Sequence, residues 1–252
     1  MRITFHIHYH TQWGQYLAVS GGHPRLGNWQ DEQAIPMHHQ GGGSWTFTME
    51  LPDASGILAY RYLLIDENNG THHREWGAPR EVTLPLDGTL QVRDAWRSPQ
   101  HPDNALYTAP FREVLLPAPE VPVPEAPMQP GKVQVQWQLY APRTRAGGEL
   151  ILMGNVPELG AWAPDKGLKL GSVDYPLWRT VVQVQPGQHL EYKFAWRESG
   201  TGKLMDIEAG ENRTVFLPAG QHETWIITDD YYAYGDGEIG RASCRERVCH
   251  RV

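Results

Sequence analysis

Apolar and polar residues alternate from the start of the chain: Ile3, Phe5, Ile7 and Tyr9 share one face, and Thr4, His6, His8 and His10 the other. That is the period of a half-buried strand. The alternation returns with Val133, Val135, Trp137 and Leu139 against Gln134, Gln136 and Gln138, which makes Trp137 a predicted core residue. Strand-length apolar runs then recur between turn signals: Gly41-Gly42-Gly43, Asn68-Asn69-Gly70, Asp87-Gly88, Gly147-Gly148, Pro186-Gly187 and Pro218-Ala219-Gly220. Capped stretches of helical period are hard to find. The pattern predicts an all-β protein of antiparallel, immunoglobulin-like β-sandwich or open-barrel type.

The pattern also repeats. Pro24-Arg25-Leu26-Gly27-Asn28-Trp29 returns as Pro157-Glu158-Leu159-Gly160-Ala161-Trp162, each copy after an apolar run ending in glycine. Trp45 is answered by Trp178 at the same offset of 133, and Ala59-Tyr60-Arg61-Tyr62 by Glu191-Tyr192-Lys193-Phe194. A period this long is a duplicated domain, since solenoid units run to about 20–50 residues. The expected division is a first domain at 1–109, a linker at 110–130, a second domain at 131–232 and a stub with tail at 233–252. The linker carries Pro110, Pro117, Pro119, Pro122, Pro124, Pro127 and Pro130, the composition of a stiff, extended spacer. Glu238 to Val248 resembles the translation of a sequencing adapter, so 238–252 is read as a non-native tail on a truncated reading frame.

Charge narrows the partners. The net charge of the 252 residues is −7, which argues against nucleic acid or an anionic membrane surface, because both need a basic field. No window approaches the roughly 20 apolar residues of a membrane span, and Met1-Arg2-Ile3-Thr4 reads as a strand rather than a signal peptide, so a cytoplasmic location is expected. Both cysteines, Cys244 and Cys249, fall in the tail, which leaves the repeats without a disulfide. Three histidines on one strand face could bind a metal, but His6 and His8 match Gln136 and Gln138 in the second repeat. No metal or cofactor is assigned.

Ten tryptophans and eleven tyrosines exceed what two small cores need. A neutral sugar ring offers a C–H face for flat aromatics and a hydroxyl rim for a few hydrogen-bonding groups. The first repeat supplies Trp29 and Trp76 on one side and Trp13 and Trp45 on another; the second supplies Trp162, and then Tyr175 and Trp178. Core packing is the competing role, most of all for Trp45 and Trp178, which open apolar strands. Acidic neighbours such as Asp66-Glu67 and Asp229-Asp230 do not make a glycosidase pair, whose carboxylates face each other across about 5–9.5 Å. No catalytic arrangement is read in this chain.

With these residues in order, the sequence resembles tandem starch-binding domains of carbohydrate-binding module family 20. The resemblance rests on the early aromatic-Gly turn, P-x-L-G-x-W, the strand-opening tryptophan, E-Y-K-F, W-E and N-R. It implies two sites for α-1,4-glucan per domain. The first would use Trp29, Arg61 and Trp76 in one repeat, and Trp162, Lys193 and Asn212 in the other. The second would use Trp13 and Trp45, and Trp178 with Tyr175. Two departures stand out: Ile207 occupies the place of a stacking tryptophan in the second repeat, and Pro79-Arg80 replaces N-R in the first. Aromatic count then favours tighter binding by the first repeat. The tandem arrangement resembles the front of disproportionating 4-α-glucanotransferases of glycoside hydrolase family 77, which implies a catalytic domain downstream. A free-standing glycogen- or starch-binding adaptor, and a sandwich that has lost sugar binding, stay open.

Overall fold

The computed structural model describes residues 1–52, 56–85, 88–111, 122–123, 129–219 and 223–230. Most of the proline-rich stretch, and the whole chain from 231 with both cysteines, lie outside the described residues. The chain divides into two compact units, Met1–His101 and a second beginning at Pro102. The turn Pro102–Tyr107 goes with the second unit, where Tyr107 packs 5.9 Å from Tyr140 and Asp103 pairs with Arg143 at 2.7 Å. The sequence had placed that turn with the first repeat.

The first unit has nine described strands: β1 (Arg2–His8), β2 (Gln15–Gly21), β3 (Ile35–Pro36), β4 (His38–Gly41), β5 (Ser44–Glu50), β6 (Ile57–Asp66), β7 (Thr71–Arg74), β8 (Arg80–Thr83) and β9 (Thr89–Ala95). The second repeats them: β10 (Val133–Tyr140), β11 (Gly148–Gly154), β12 (Leu168–Lys169), β13 (Gly171–Asp174), β14 (Leu177–Val184), β15 (His189–Glu198), β16 (Leu204–Ile207), β17 (Arg213–Phe216) and β18 (Glu223–Asp230). In each unit one sheet runs β9-β1-β5-β4, or β18-β10-β14-β13. The other runs β3-β2-β6-β7 with β8 also on β6, or β12-β11-β15-β16 with β17 also on β15. The fold is all-β, as expected, and within each unit the described pairs are antiparallel except that β1 lies parallel to β9 and β10 to β18. Among the described residues no helix is long and apolar enough to cross a membrane.

The duplication keeps its register along the central strands. Ile7 opposes Trp45 as Leu139 opposes Trp178, and Gly21 opposes Tyr60 as Gly154 opposes Tyr192. The alternating faces do what their period demands: Ile3, Phe5 and Ile7, like Val133, Val135, Trp137 and Leu139, are all buried. Phe5 meets Tyr60 edge-on at 4.9 Å, and Trp137 meets Tyr192 edge-on at 5.5 Å, so one aromatic contact knits the two layers in both units.

Candidate functional site

The two P-x-L-G-x-W turns fold alike. Pro24–Trp29 and Pro157–Trp162 each open with proline at the head of a 3-10 turn, where its missing N–H costs nothing. Leu26 and Leu159 then enter the core, and the backbone changes hand. Gly27, Asn28 and Trp29 have φ of 76°, 48° and 64°; Gly160, Ala161 and Trp162 have 79°, 47° and 65°. Each non-glycine residue in this region stores about 1–3 kcal/mol, a strain that clusters at functional positions. The glycine is demanded twice, by φ and by space. A Cβ on Gly27 would lie 2.4 Å from the Gln33 carbonyl oxygen, and one on Gly160 2.7 Å from that of Lys166. The exit is pinned by Gln30 N–H to Gly27 O and Ala163 N–H to Gly160 O, both 2.9 Å. The result is an indole held partly out of the surface, Trp29 at 37% and Trp162 at 36% exposure.

Arg61 on β6 and Lys193 on β15 hold the same register position, opposite Ser20 and Met153. The Arg61 guanidinium lies over the Trp29 ring, 5.0 Å from its centroid. Lys193 instead donates its Nζ to the carbonyls of Gly210 at 2.6 Å and Glu208 at 3.2 Å. Asn212, exposed beside β17, donates its Nδ2 to Glu191 at 3.1 Å.

A family model described as a starch binding domain matches residues 1–93 and again 132–226, one copy on each unit. The chain belongs to the starch-binding domain family. It is similar to 4-alpha-glucanotransferase DPE2 of Oryza sativa subsp. japonica, 29% identical over an aligned length of 248, with 90% of this chain and 25% of that protein covered. It is also similar to an alpha-amylase of Streptomyces violaceus, 40% identical over 76 residues, 30% of this chain and 13% of the amylase. The chain thus spans about a quarter of the rice relative. Among solved structures it is similar to the family 20 CBM of a maltotetraose-forming amylase from Pseudomonas saccharophila STB07, with 24% identity and a TM-score of 0.34 over 39% of this chain and 99% of that one.

The register of these starch-binding domains moves one site assignment. Leu63 on β6 faces Arg74, and the matched Ala195 on β15 faces Ile207. The next residues, Glu75 and Glu208, both donate their N–H groups back, to Tyr62 and Phe194. Arg74 is therefore the counterpart of Ile207. Trp76, expected there as the partner platform to Trp29, falls two residues later, half-buried, with its N–H on the Arg97 carbonyl at 2.8 Å.

Trp45 and Trp178 are core residues, each 5% exposed. Their Nε1 groups donate to the Tyr9 and Ala141 carbonyls at 3.0 Å, which satisfies the one polar atom of a buried indole. Neither presents an open face. Tyr175 is half-buried against the second core, and its hydroxyl donates to the Pro142 carbonyl. Trp13 is the opposite case, 96% exposed at the β1–β2 turn. Asn68 holds that turn by donating to the Trp13 carbonyl at 2.9 Å and fills the space a Cβ on Gly14 would need. The matched position in the second unit is Ala146, so Trp13 has no counterpart there.

Sequence reasoning missed the group behind the turns. Arg80, buried, reaches Glu75 at 2.7 Å and Asp94 at 3.0 Å, and Asp94 also accepts from the Tyr60 and Tyr62 hydroxyls. Arg213 repeats this with Glu208, Asp229 and Tyr192. The signal was present: Glu and Arg recur five residues apart at the same offset of 133. Burial would raise the Glu75 carboxyl, but Arg80 and Arg97 outweigh it and hold it below the usual range. Burial does raise Glu208, with Arg213 opposing it and Asp229 adding to it. The network fixes the loop joining β7 to β8, and β16 to β17, through Glu75 Oε1 on the Tyr62 N–H and Glu208 Oε1 on the Phe194 N–H.

Proposed function

We propose that the chain binds α-1,4-glucan through the turn-borne indoles Trp29 and Trp162, as the non-catalytic region in front of a 4-α-glucanotransferase catalytic domain in the cytoplasm. The observation that carries the reading is the strained left-handed turn, kept at matching angles in both units, whose one visible product is a half-exposed tryptophan. Membership of the starch-binding domain family supports the ligand class. The match to a rice 4-α-glucanotransferase over nearly the whole chain supports the tandem arrangement as part of such a protein. A pyranose stacks its C–H face on each indole while Asn212, and the donors at Arg61 and Lys193, serve the hydroxyl rim. Trp13 supplies a further stacking surface on the first unit only. No residue of the chain is assigned a chemical step; transfer of glucosyl units belongs to the downstream domain.

Affinity electrophoresis tests the reading. The unmutated chain should be retarded in gels containing amylopectin or glycogen, and the Trp29→Ala, Trp162→Ala double variant should be retarded less, with Trp13 left as a residual stacking surface. Unchanged retardation of the double variant, measured on folded protein, would remove both indoles from the site.

A further inference from the structure

We infer that the Trp29 site takes an α-glucan carrying a phosphate ester, whereas the Trp162 site takes the neutral polymer; this rests on the glucan-binding reading above and divides its two sites by ligand charge. Three matched positions around the platforms have been exchanged together. Where the second unit has Lys193, Ile207 and Asn212, the first has Arg61, Arg74 and Pro79. Asn212 carries both a donor and an acceptor, which suits a hydroxyl that does both, and Ile207 offers a sugar an apolar surface. Proline has neither amide group, and a guanidinium has five N–H donors and no acceptor. At two positions the first unit has therefore lost groups fit for a neutral rim, Ile207 giving way to the cation Arg74 and Asn212 to Pro79, and at the third one donor-only cation, Lys193, is exchanged for another whose planar fork suits an acceptor-only partner.

The state of Arg61 sharpens this. Its guanidinium lies over the Trp29 ring, yet it forms no hydrogen bond or ion pair with a described residue, and its buried Nε has no partner. Lys193 at the matched position has its ammonium engaged by two backbone carbonyls. Arg74 stands on the neighbouring strand with its side chain 54% exposed, held through Nε by Asp31 at 2.8 Å, two residues past Trp29. One uncommitted cation thus lies over the half-exposed indole, and a second, Arg74, is tied to a residue two positions past it. A phosphate monoester presents several acceptor oxygens that match the guanidinium fork, and it would lie against the indole's neighbours while the sugar ring takes the stack. The chain's net charge of −7 works against an anion at long range, but beyond about 8 Å that field is screened at physiological salt, so the local pair decides.

The experiment uses the full chain carrying Trp162→Ala, so that the first unit is the remaining platform. Calorimetry compares a maltoheptaose bearing one C6 phosphate, the same sugar after phosphatase treatment, and inorganic phosphate alone. The ester should bind about tenfold more tightly than the neutral sugar, and the gap should narrow at about 0.5 M salt. Arg61→Met should close the gap, Arg61→Lys should reduce it, and Arg74→Met should narrow it without disturbing the indole contact. Equal affinities for ester and neutral sugar would overturn the inference. So would a gap that survives Arg61→Met in a chain with an unchanged first-unit thermal transition, or inorganic phosphate binding as tightly as the ester. Failure of the unmutated chain to bind either sugar would instead remove the glucan-binding reading, and this inference with it.

Discussion

Trp162→Ala gives the most direct measure of what the strained turn is for. A tryptophan side chain presents about 250 Å² in all, so 36% exposure leaves roughly 90 Å² of indole for a sugar to cover. At about 25 cal/mol per Å² that surface contributes on the order of 2 kcal/mol, or about 30-fold in affinity. Hydrogen bonds from Lys193 and Asn212 to hydroxyls replace bonds to water and net about 1 kcal/mol each, so stacking should dominate at this unit. The measurement is calorimetric titration of neutral maltoheptaose into the full chain with Trp13→Ala and Trp29→Ala as background, which leaves the second unit as the platform under study. The expected result is a fall of about 30-fold on adding Trp162→Ala, with Trp162→Phe between the two because a smaller ring keeps part of the stack. The buried two-thirds of the indole also anchors the turn, so the second unit's thermal transition must be shown to persist at the temperature of titration. A loss below about threefold in folded protein would refute the reasoning, because the exposed indole would then be covering no ligand.

Two further predictions concern the groups behind the site. Arg80→Met leaves Glu75 and Asp94 buried without their guanidinium, and should destabilise the first unit by about 3–5 kcal/mol, seen calorimetrically as a fall of at least about 12 °C in one of two transitions; Arg213→Met should act on the other, and a shift under about 5 °C would mean the carboxylates are better solvated than their burial implies. The two units should also part company in acid. Glu75 is held below its ordinary 4.5 and His6 below 6.5, so the contribution of each is full above that value and is lost as pH falls from it through the lowered folded one; Glu208 is raised above 4.5, so its contribution is full below 4.5 and lost as pH rises through the raised value. Lowering pH from 7 to about 4 should therefore depress the first unit's transition relative to the second's, identified by the Arg80→Met shift, and parallel curves would count against it.

The strands were legible because their signal is local and repeated: a period of two at Ile3, Phe5 and Ile7 returns at Val133, Val135 and Trp137, and both sets are buried. The parallel pairing of β1 with β9 was not, since it joins the two ends of a repeat and leaves no mark on either strand's own pattern. Trp76 shows where motif spacing fails. A tryptophan beside a glutamate fitted the expected pair, but in the first repeat it follows Glu75 rather than preceding it, so strand pairing puts Arg74 rather than Trp76 at the position matched to Ile207. Trp45 and Trp178 were ambiguous for a different reason. An aromatic opening an apolar strand reads the same whether its face is covered or open, and only the carbonyls of Tyr9 and Ala141 on their indole nitrogens decide it.

The pattern of what the two units share says which constraints are structural. The left-handed turn, its glycine, and the Glu-Arg-Asp group recur unchanged at matched positions, although together they store backbone strain and bury charge. Each is locked by contacts on several sides: Gly27 by the Gln33 carbonyl, and Arg80 by two carboxylates and the Ala95 carbonyl at once. A change at any of them leaves a clash or an unpaired buried charge, worth more than a marginally stable domain of about 100 residues can lose. The rim of the platform has no such lock. Arg61 or Lys193, Arg74 or Ile207, and Pro79 or Asn212 all stand at least partly exposed, where substitution costs within about 0.5 kcal/mol. Divergence after duplication is therefore cheap around the indole and costly beneath it, and that is where the two units differ and where they agree.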